Sequence, residues 1–277
     1  MPNNDYRAAA GVNWSTLKHI LTSPRQYLYA LNNPVQPTPA MAFGTAVHCA
    51  VLEPDVFAEK LVEVPDEYVT ATGALSTSKA AKEWRAQQDD DAILLTTQQL
   101  CAVAEMRVNL GLHRDATEAL KLADVREQGL YWTDAASGID CKACPDAFSG
   151  MRVLDVKTWS PRGKFSADAF MREAVNRGYL GQLGFYAMGI LAATEHKVEA
   201  MQFLVLQATA PYDVMLLELD IDAMRYAEQE AGDALEALAN WIAEARPDEG
   251  AEPQLVLCNL PWKRSETVED GSDLEGL

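Results

Sequence analysis

Hydrophobic residues along this chain follow helical spacing towards both ends and strand spacing in the middle. Apolar positions three and four residues apart predict helices, because those side chains share one helix face. The most apolar of the early helices stops where Pro54 disfavours helix in the residue before it. The helices predicted in the first half are two short ones within residues 12–32 and others at about 41–52, 79–87, 97–113 and 116–122.

An alternating pattern from about residue 124 predicts three strands of an antiparallel meander, at 124–134, 139–148 and 152–159. The segments between these strands have the composition of hairpin turns. One helix or two, with a break near Gly178, then precede two more strands and a long amphipathic helix. These later elements cover about residues 166–195, 198–209, 212–220 and 222–245.

The order of these elements predicts an α/β fold, with a central mixed sheet flanked by helices and with helical additions at the N-terminus. We expect a single domain over residues 1–262, with its core at about 41–245 and the N-terminal helices at about 12–32. Residues 263–277 are acidic and have the composition of a disordered tail.

The net charge of −18 argues against a protein that binds nucleic acid over its whole surface, because affinity for phosphate backbones comes mainly from Lys and Arg. A metal-dependent nuclease remains compatible with it, since clustered carboxylates bind divalent cations and a basic channel can exist within an acidic total. No segment has the roughly 20 apolar residues that span a bilayer. The N-terminus lacks the features of a signal peptide, so we expect a cytoplasmic protein with no membrane partner.

The spacing of the five cysteines does not predict a disulfide framework, so we expect reduced thiols. Cys141 and Cys144 form a C-x2-C pair, but a zinc site or an iron–sulfur cluster usually needs a second pair. Alternation along a strand explains this pair equally well. The cysteines are Cys49, Cys101, Cys141, Cys144 and Cys258.

Asp155 and Lys157 lie two positions apart in the third strand of the meander, so their side chains share one face. A hairpin turn at 149–151 would bring Asp146 close to Asp155. Neighbouring carboxylates raise each other's pKa unless a cation lies between them, and Mg2+ meets that need. A lysine beside the ion can stabilise charge on a phosphoryl group. An exposed Asp–Lys ion pair explains the spacing equally well.

The segment from Pro145 to Lys157 resembles the motif of the PD-(D/E)xK nuclease superfamily. Pro145 and Asp146 match its first half, and after eight residues Asp155, Val156 and Lys157 match its second half. Members of the superfamily have a restriction-endonuclease-like core, built from a helix, a strand meander, a further helix and a further strand. The resemblance implies the same core here.

Three further segments resemble the RecB-like branch of this superfamily, and its RecE-type phage exonucleases in particular. Gly44 and His48 match the G-x-x-x-H motif of that branch. Gln182 and Tyr186 match its Q-x-x-x-Y motif and lie one helical turn apart. Residues 14–31 are similar to the N-terminus of RecE-type exonucleases, and the matches together run from about residue 12 to 190.

The chain departs from the pattern of the branch at two positions. Leu52 stands where relatives often carry an acid four residues after the histidine, and we assign no role to Glu53, the next residue. Cys144 precedes the PD pair where relatives often carry arginine, which leaves DNA contacts at that position open.

The resemblance implies a metal site in which Asp146 and Asp155 bind Mg2+ and His48 completes the ligand shell. Because imidazole is a softer ligand than carboxylate, we expect Mn2+ to substitute for Mg2+. Glu127 lies where superfamily members often carry a further acid, although an exposed strand glutamate is an equally simple interpretation. No iron–sulfur cluster is expected, because the four-cysteine set of helicase-fused relatives is missing.

The same resemblance assigns the remaining catalytic roles. Lys157 would orient the attacking water and stabilise the transition state, and Gln182 and Tyr186 would contact substrate phosphate or water. Basic residues near the motifs could contact the DNA backbone, although scattered surface cations are common. These are Lys142, Arg162, Lys164, Arg172 and Arg177. Trp132 and Trp159 could stack on an unpaired base, but tryptophans in strands more often belong to the core.

These resemblances imply an exonuclease that hydrolyses linear double-stranded DNA from its ends, in the 5'-to-3' direction, during phage-type recombination. They also imply a homo-oligomeric ring around DNA and a single-strand annealing protein as a partner. Two alternatives stay open. One is a structure-specific endonuclease of the same superfamily, and the other is a catalytically silent DNA-binding or assembly protein.

Overall fold

A five-stranded mixed sheet lies at the centre of the molecule, in a computed structural model that describes residues 4–244. The two central strands are parallel, and every other neighbouring pair is antiparallel. This arrangement confirms the predicted α/β class with a central mixed sheet. In spatial order the strands are β3 (Val125–Arg126), β6 (Ala147–Ser149), β7 (Arg152–Trp159), β8 (Ala200–Gln207) and β9 (Val214–Glu218).

The sequence of β8 explains its central position. All eight of its residues are buried, and residues 203–206 form the continuous apolar run that is typical of a strand covered on both faces. In β7 the faces differ: Leu154 and Val156 face one apolar cluster, whereas Asp155 and Lys157 point the other way. Asp155 pairs in register with Phe203 of β8, so this acid lies in the middle of the sheet.

Helices cover both faces of the sheet and form two apolar clusters. One cluster involves α9 (Ala167–Arg177), α10 (Tyr179–Thr194) and α11 (Ile221–Ala243). The other involves α4 (Pro39–Leu52), α7 (Thr97–Leu112) and α8 (Arg114–Leu122). The predicted break in the 166–195 helix is present, since Gly178 has a φ of 69° and separates α9 from α10.

The N-terminal helical additions were predicted within 12–32 and are found there. They comprise α2 (Trp14–Leu17), a 3-10 turn (Lys18–Leu21) and α3 (Pro24–Asn32). The indole Nε1 of Trp14 donates a hydrogen bond to the Gly178 carbonyl at 2.6 Å, which ties this unit to the α9–α10 junction. A further helix, α1 (Asn4–Ala8), was not predicted.

Between α4 and α7 the chain forms short elements that mostly lack a clear sequence signal. A helix was predicted at about 79–87 and is present as α6. The others include a parallel strand pair packed beside α7. The elements of this region are α5 (Pro54–Lys60), β1 (Leu61–Glu63), a 3-10 turn (Asp66–Tyr68), α6 (Lys79–Arg85) and β2 (Ile93–Leu95).

The meander differs from the prediction, because its first two strands are each divided between two sheets. Residues of these strands form a separate hairpin, β4 (Leu130–Thr133) paired with β5 (Asp140–Ala143). The division has a backbone cause at both points. Glu127 has a φ of 46°, which breaks the extended chain after β3, and Pro145 has no N–H to continue the ladder after β5.

The predicted single domain over residues 1–262 stays a prediction, and the predicted acidic tail at 263–277 lies outside the described residues, as does Cys258. Among residues 4–244, no helix combines the length and apolar character needed to cross a lipid bilayer.

Candidate active site

The two breaks in the meander lie side by side and bring acidic residues together. The backbone N–H of Glu127 donates to the Asp146 carbonyl at 3.2 Å across the gap. The Oδ2 atom of Asp146 accepts a hydrogen bond of 2.6 Å from the backbone N–H of Val156. Asp146 is therefore oriented by the same strand that carries Asp155 and Lys157.

His48 reaches this position from α4. Its Nδ1 atom lies 3.5 Å from Asp146 Oδ2. Burial, and next to it the positive charge of Lys157, lowers the pKa of His48 to about 4. The imidazole is therefore uncharged at neutral pH, and its contact with Asp146 places a metal-binding nitrogen beside a carboxylate.

His48, Glu127 and Asp146 form a group whose potential ligand atoms all lie within 4.8 Å of one another. Burial raises the pKa of Asp146, and burial together with Asp146 raises that of Glu127 to about 7. Two buried carboxyl groups at this spacing disfavour each other's ionisation, and a cation bound between them would relieve that cost. One uncharged imidazole and two carboxylates suit Mg2+ or Mn2+, so these residues fit a divalent metal ion.

Asp155 lies outside this group of three and pairs with Lys157 instead. Its Oδ2 atom is 2.6 Å from Lys157 Nζ, and the residue is 1% exposed. Burial raises the pKa of Asp155 to about 6, against the opposing effect of Lys157. Burial also acts to lower the pKa of Lys157, but Asp155 and Asp146 outweigh it, so this pKa is raised and the ammonium stays charged.

The two residues of the Q-x-x-x-Y motif continue this polar chain on α10. Lys157 Nζ donates to Gln182 Oε1 at 2.9 Å, and Gln182 Nε2 donates to the Tyr186 hydroxyl at 2.7 Å. The ammonium also lies 4.4 Å from the centroid of the Tyr179 ring. Lys157 is thus held in one orientation by three neighbours, which include the acid two positions before it.

A cavity of about 260 Å3 opens beside these residues. It joins side chains from helices on opposite faces of the sheet, because His48 lies on α4 and Tyr186 on α10. Four of its lining residues were not predicted as site residues. The lining residues are Tyr6, Thr45, His48, Cys49, Glu127, Cys144, Asp146 and Tyr186.

Few features of the sequence predict a site role for these four residues, which are Tyr6, Thr45, Cys49 and Cys144. Tyr6 lies on the short helix α1, which has too few residues for a periodic pattern. Cys144 had one signal, its position directly before the PD pair. The Sγ atom of Cys144 lies 4.0 Å from Glu127 Oε2, whereas the Cys141 thiol donates to the Ile139 carbonyl within the core. The two cysteines of the pair therefore have different surroundings.

Several side chains that were candidates for contacting DNA instead contact other parts of the protein. Lys142 is 7% exposed, and its ammonium donates hydrogen bonds to backbone carbonyls of the N-terminal segment. Trp132 packs on Phe185 with ring centroids 5.0 Å apart, and Trp159 packs on Phe165 and Phe170. Both tryptophans thus contribute to the main apolar cluster, in agreement with the simpler interpretation.

The PD segment lies directly before β6, the DVK segment lies in the adjacent strand β7, and a histidine-bearing helix lies beside them. Together with the mixed sheet, this arrangement defines a PD-(D/E)xK-type core. The family described as a PDDEXK-like domain of unknown function, DUF3799, matches residues 13–254. The chain belongs to this family, which confirms the superfamily predicted from the motifs. No curated protein sequence matches the chain.

Solved structures with a related fold include a candidate exonuclease from Eubacterium rectale. It is 14% identical, with a TM-score of 0.52 over 84% of this chain and 81% of that one, which shows a shared fold. An alkaline exonuclease from Laribacter hongkongensis, LHK-Exo, is 16% identical, with a TM-score of 0.25 over 69% of this chain and 97% of that one. Its complex with dAMP gives a TM-score of 0.24 at 15% identity, over 61% and 86% of the two chains. The LHK-Exo likeness is too loose to support an argument.

Proposed function

We propose that this protein is a divalent-metal-dependent exonuclease that hydrolyses phosphodiester bonds at the ends of linear double-stranded DNA. The observation that carries the proposal is the convergence of His48, Glu127 and Asp146 within 4.8 Å, beside a cavity and a buried Asp155–Lys157 pair. The protein from Eubacterium rectale that shares this fold is described as an exonuclease, which agrees with it. Catalysis of this kind needs a metal site and a charged group near the scissile phosphate.

In this proposal His48, Asp146 and Glu127 hold the metal, and Asp155 binds it from the adjacent strand. The ion, when bound, activates a water molecule and stabilises negative charge on the phosphate. Asp155 lies within 2.6 Å of Lys157, so ligand and lysine are in contact before substrate arrives. Because the three ligands that cluster come from a helix and from both breaks in the meander, the site depends on the folded chain.

Lys157 acts on the phosphate. Its raised pKa keeps the ammonium protonated at neutral pH, so it can orient the attacking water and stabilise the developing charge. Gln182 fixes the direction of the ammonium through its 2.9 Å hydrogen bond, and Tyr186 in turn fixes Gln182. We assign these two residues to positioning Lys157 and to contacts with phosphate or water at the cavity.

The finer parts of the proposal follow the resemblance to RecE-type enzymes. Mg2+ is the proposed ion, and Mn2+ is expected to replace it because one ligand is an imidazole. We propose 5'-to-3' polarity, a cytoplasmic location, a ring-shaped homo-oligomer and a single-strand annealing protein as a partner in phage-type recombination. A ring would reconcile the net charge of −18 with DNA binding if its basic residues lined a shared channel.

Digestion of matched DNA forms tests the proposal. Linear duplex and covalently closed circular duplex of the same sequence are incubated with the protein in Mg2+ or in EDTA. Mononucleotide release from the linear form alone, and only with Mg2+, is expected. Cleavage of the circle would instead indicate the endonuclease alternative, and no metal-dependent cleavage of either form would indicate the silent DNA-binding alternative.

A further inference from the structure

Two tyrosine rings, those of Tyr6 and Tyr131, lie next to each other, and the first of them lines the metal-site cavity. Tyr6 lines the cavity and is partly exposed. Its ring centroid lies 6.3 Å from that of Tyr131, which is 53% exposed on β4. The neighbouring Trp132 points into the core, because side chains alternate along the strand. Tyr6 and Tyr131, rather than the tryptophans, therefore present aromatic rings to solvent here, whereas Tyr186, which also lines the cavity, is 8% exposed.

The chain holds Tyr6 in this place with a buried lysine. Lys142 Nζ donates to the backbone carbonyls of Tyr6 at 3.1 Å, Arg7 at 3.2 Å and Ala9 at 2.5 Å. These bonds use all three donors of the ammonium, which offsets the cost of burying its charge. The ammonium also lies 5.3 Å from the Tyr6 ring centroid. Lys142 thus anchors α1 against β5, the strand that pairs with the one carrying Tyr131.

The following residues strengthen this attachment. Val12 N donates to the Asp140 carbonyl at 2.8 Å, and Lys142 N donates to the Val12 carbonyl at 2.8 Å. The segment after α1 therefore adds backbone hydrogen bonds to the edge of β5. A helix of five residues would not be stable alone, so its position depends on these contacts.

We propose that Tyr6 and Tyr131 form a stacking platform for the nucleobase next to the scissile phosphate, with Lys142 as the positioning residue that holds Tyr6. This inference rests on the proposed function for its choice of DNA as the ligand. Every nucleobase has an aromatic face, so stacking binds DNA without sequence preference. Stacking also adds affinity without positive charge, which suits a protein with a net charge of −18.

The test compares two blunt duplex oligonucleotides that differ only in their terminal nucleotides, which are normal in one and abasic in the other. Dissociation constants are measured by fluorescence anisotropy in Ca2+, which allows binding to be read without turnover. The native protein should bind the normal duplex about 5- to 100-fold more tightly than the abasic one, the range expected for one stacked base. Tyr6→Ala and Tyr131→Ala should each reduce that ratio towards one.

Two substitutions serve as matched controls. Tyr6→Phe keeps the ring and should preserve the ratio, which separates stacking from a role of the hydroxyl. Tyr29 is 67% exposed on α3 and does not line the cavity, so Tyr29→Ala should also preserve it. Equal ratios in the native protein, Tyr6→Ala and Tyr131→Ala would overturn the platform.

The role of Lys142 needs a readout that general destabilisation would not move. Lys142→Met should lower the base-dependent ratio as Tyr6→Ala does, and the double variant should show no further loss. Mn2+ affinity measured by calorimetry should stay within about twofold of the native value, because Lys142 is not among the clustered ligands. Additive losses in the double variant would contradict the positioning role. If Lys142→Met does not fold, the two alanine variants at Tyr6 and Tyr131 still decide the platform.

Failure of this inference is distinguishable from failure of the proposed function. If the protein cleaves linear DNA but binds the normal and abasic duplexes equally, the nuclease proposal stands and the stacking platform is contradicted. If the protein binds the normal duplex more tightly than the abasic one in Ca2+ but never cleaves DNA in Mg2+, the platform stands and the nuclease proposal is contradicted. Failure to bind either duplex would overturn both.

Discussion

At the scale of single residues, Glu127 makes the metal-free protein less stable at alkaline pH. Burial and the nearby Asp146 raise its pKa from 4.5 to about 7 in the folded state. A group whose folded pKa is raised contributes stability below its unfolded pKa, and that contribution is lost as the pH rises through about 7. The stability of the metal-free protein should therefore fall between about pH 4.5 and pH 7 for this reason.

The variant Glu127→Gln tests this account, because it removes the charge and keeps the shape. In EDTA at pH 8 the variant should be more stable than the native protein by about 2 kcal/mol, with little difference at pH 4. Urea unfolding at both pH values measures the change. Mn2+ affinity should fall at the same time. If the free energy of unfolding changed with pH in the same way for both proteins, ionisation of Glu127 would not be the cause of the lost stability.

At the scale of elements, two glycines in two helices predict opposite effects of the same substitution. A Cβ at Gly44 in α4 would meet no atom of the described chain within 4 Å, whereas one at Gly184 in α10 would come within 2.0 Å of the Ala227 carbonyl oxygen of α11. Gly44→Ala should stabilise the protein by about 0.5–1 kcal/mol through helix propensity. Gly184→Ala should destabilise it by about 2 kcal/mol or more, because α10 must move away from α11.

Thermal unfolding of the two variants checks this pair of predictions, and each serves as the control for the other. If Gly44→Ala were as destabilising as Gly184→Ala, the glycine of the G-x-x-x-H motif would have a packing role. The expected result would mean that Gly44 has no packing role and that the space beside it, one turn before His48, can admit a substrate.

The central strands and the helix carrying His48 could be predicted because their burial patterns are local and strong. The division of the meander could not, since the alternating pattern continues through Glu127 and Pro145 although the backbone turns there. In the structure Glu127 therefore belongs to the group of clustered ligands, whereas Asp155 pairs with Lys157. The spacing of these residues in the sequence does not predict this difference. The position of Tyr6 could not be predicted, because it depends on hydrogen bonds from Lys142, which is far away in the sequence.

At the scale of the whole molecule, the charge balance connects the site to the predicted assembly. An acidic protein repels DNA except where basic residues concentrate, so a ring that gathers such residues around a channel would reconcile the net charge with DNA binding. The predicted homo-oligomer should appear in sedimentation equilibrium as a mass that is a multiple of 30.4 kDa. A mass of 30.4 kDa over a wide concentration range would contradict it.

The central claim is that the clustered ligands and Lys157 together hydrolyse DNA. Its most direct test is the degradation rate of linear duplex DNA in saturating Mg2+ by the native protein and by Lys157→Ala, with Mn2+ binding confirmed for both. Lys197→Ala is the control, because Lys197 is an exposed lysine that pairs with Glu228. The account predicts a loss of at least about 100-fold for Lys157→Ala and none for Lys197→Ala. Equal rates for all three proteins would contradict it.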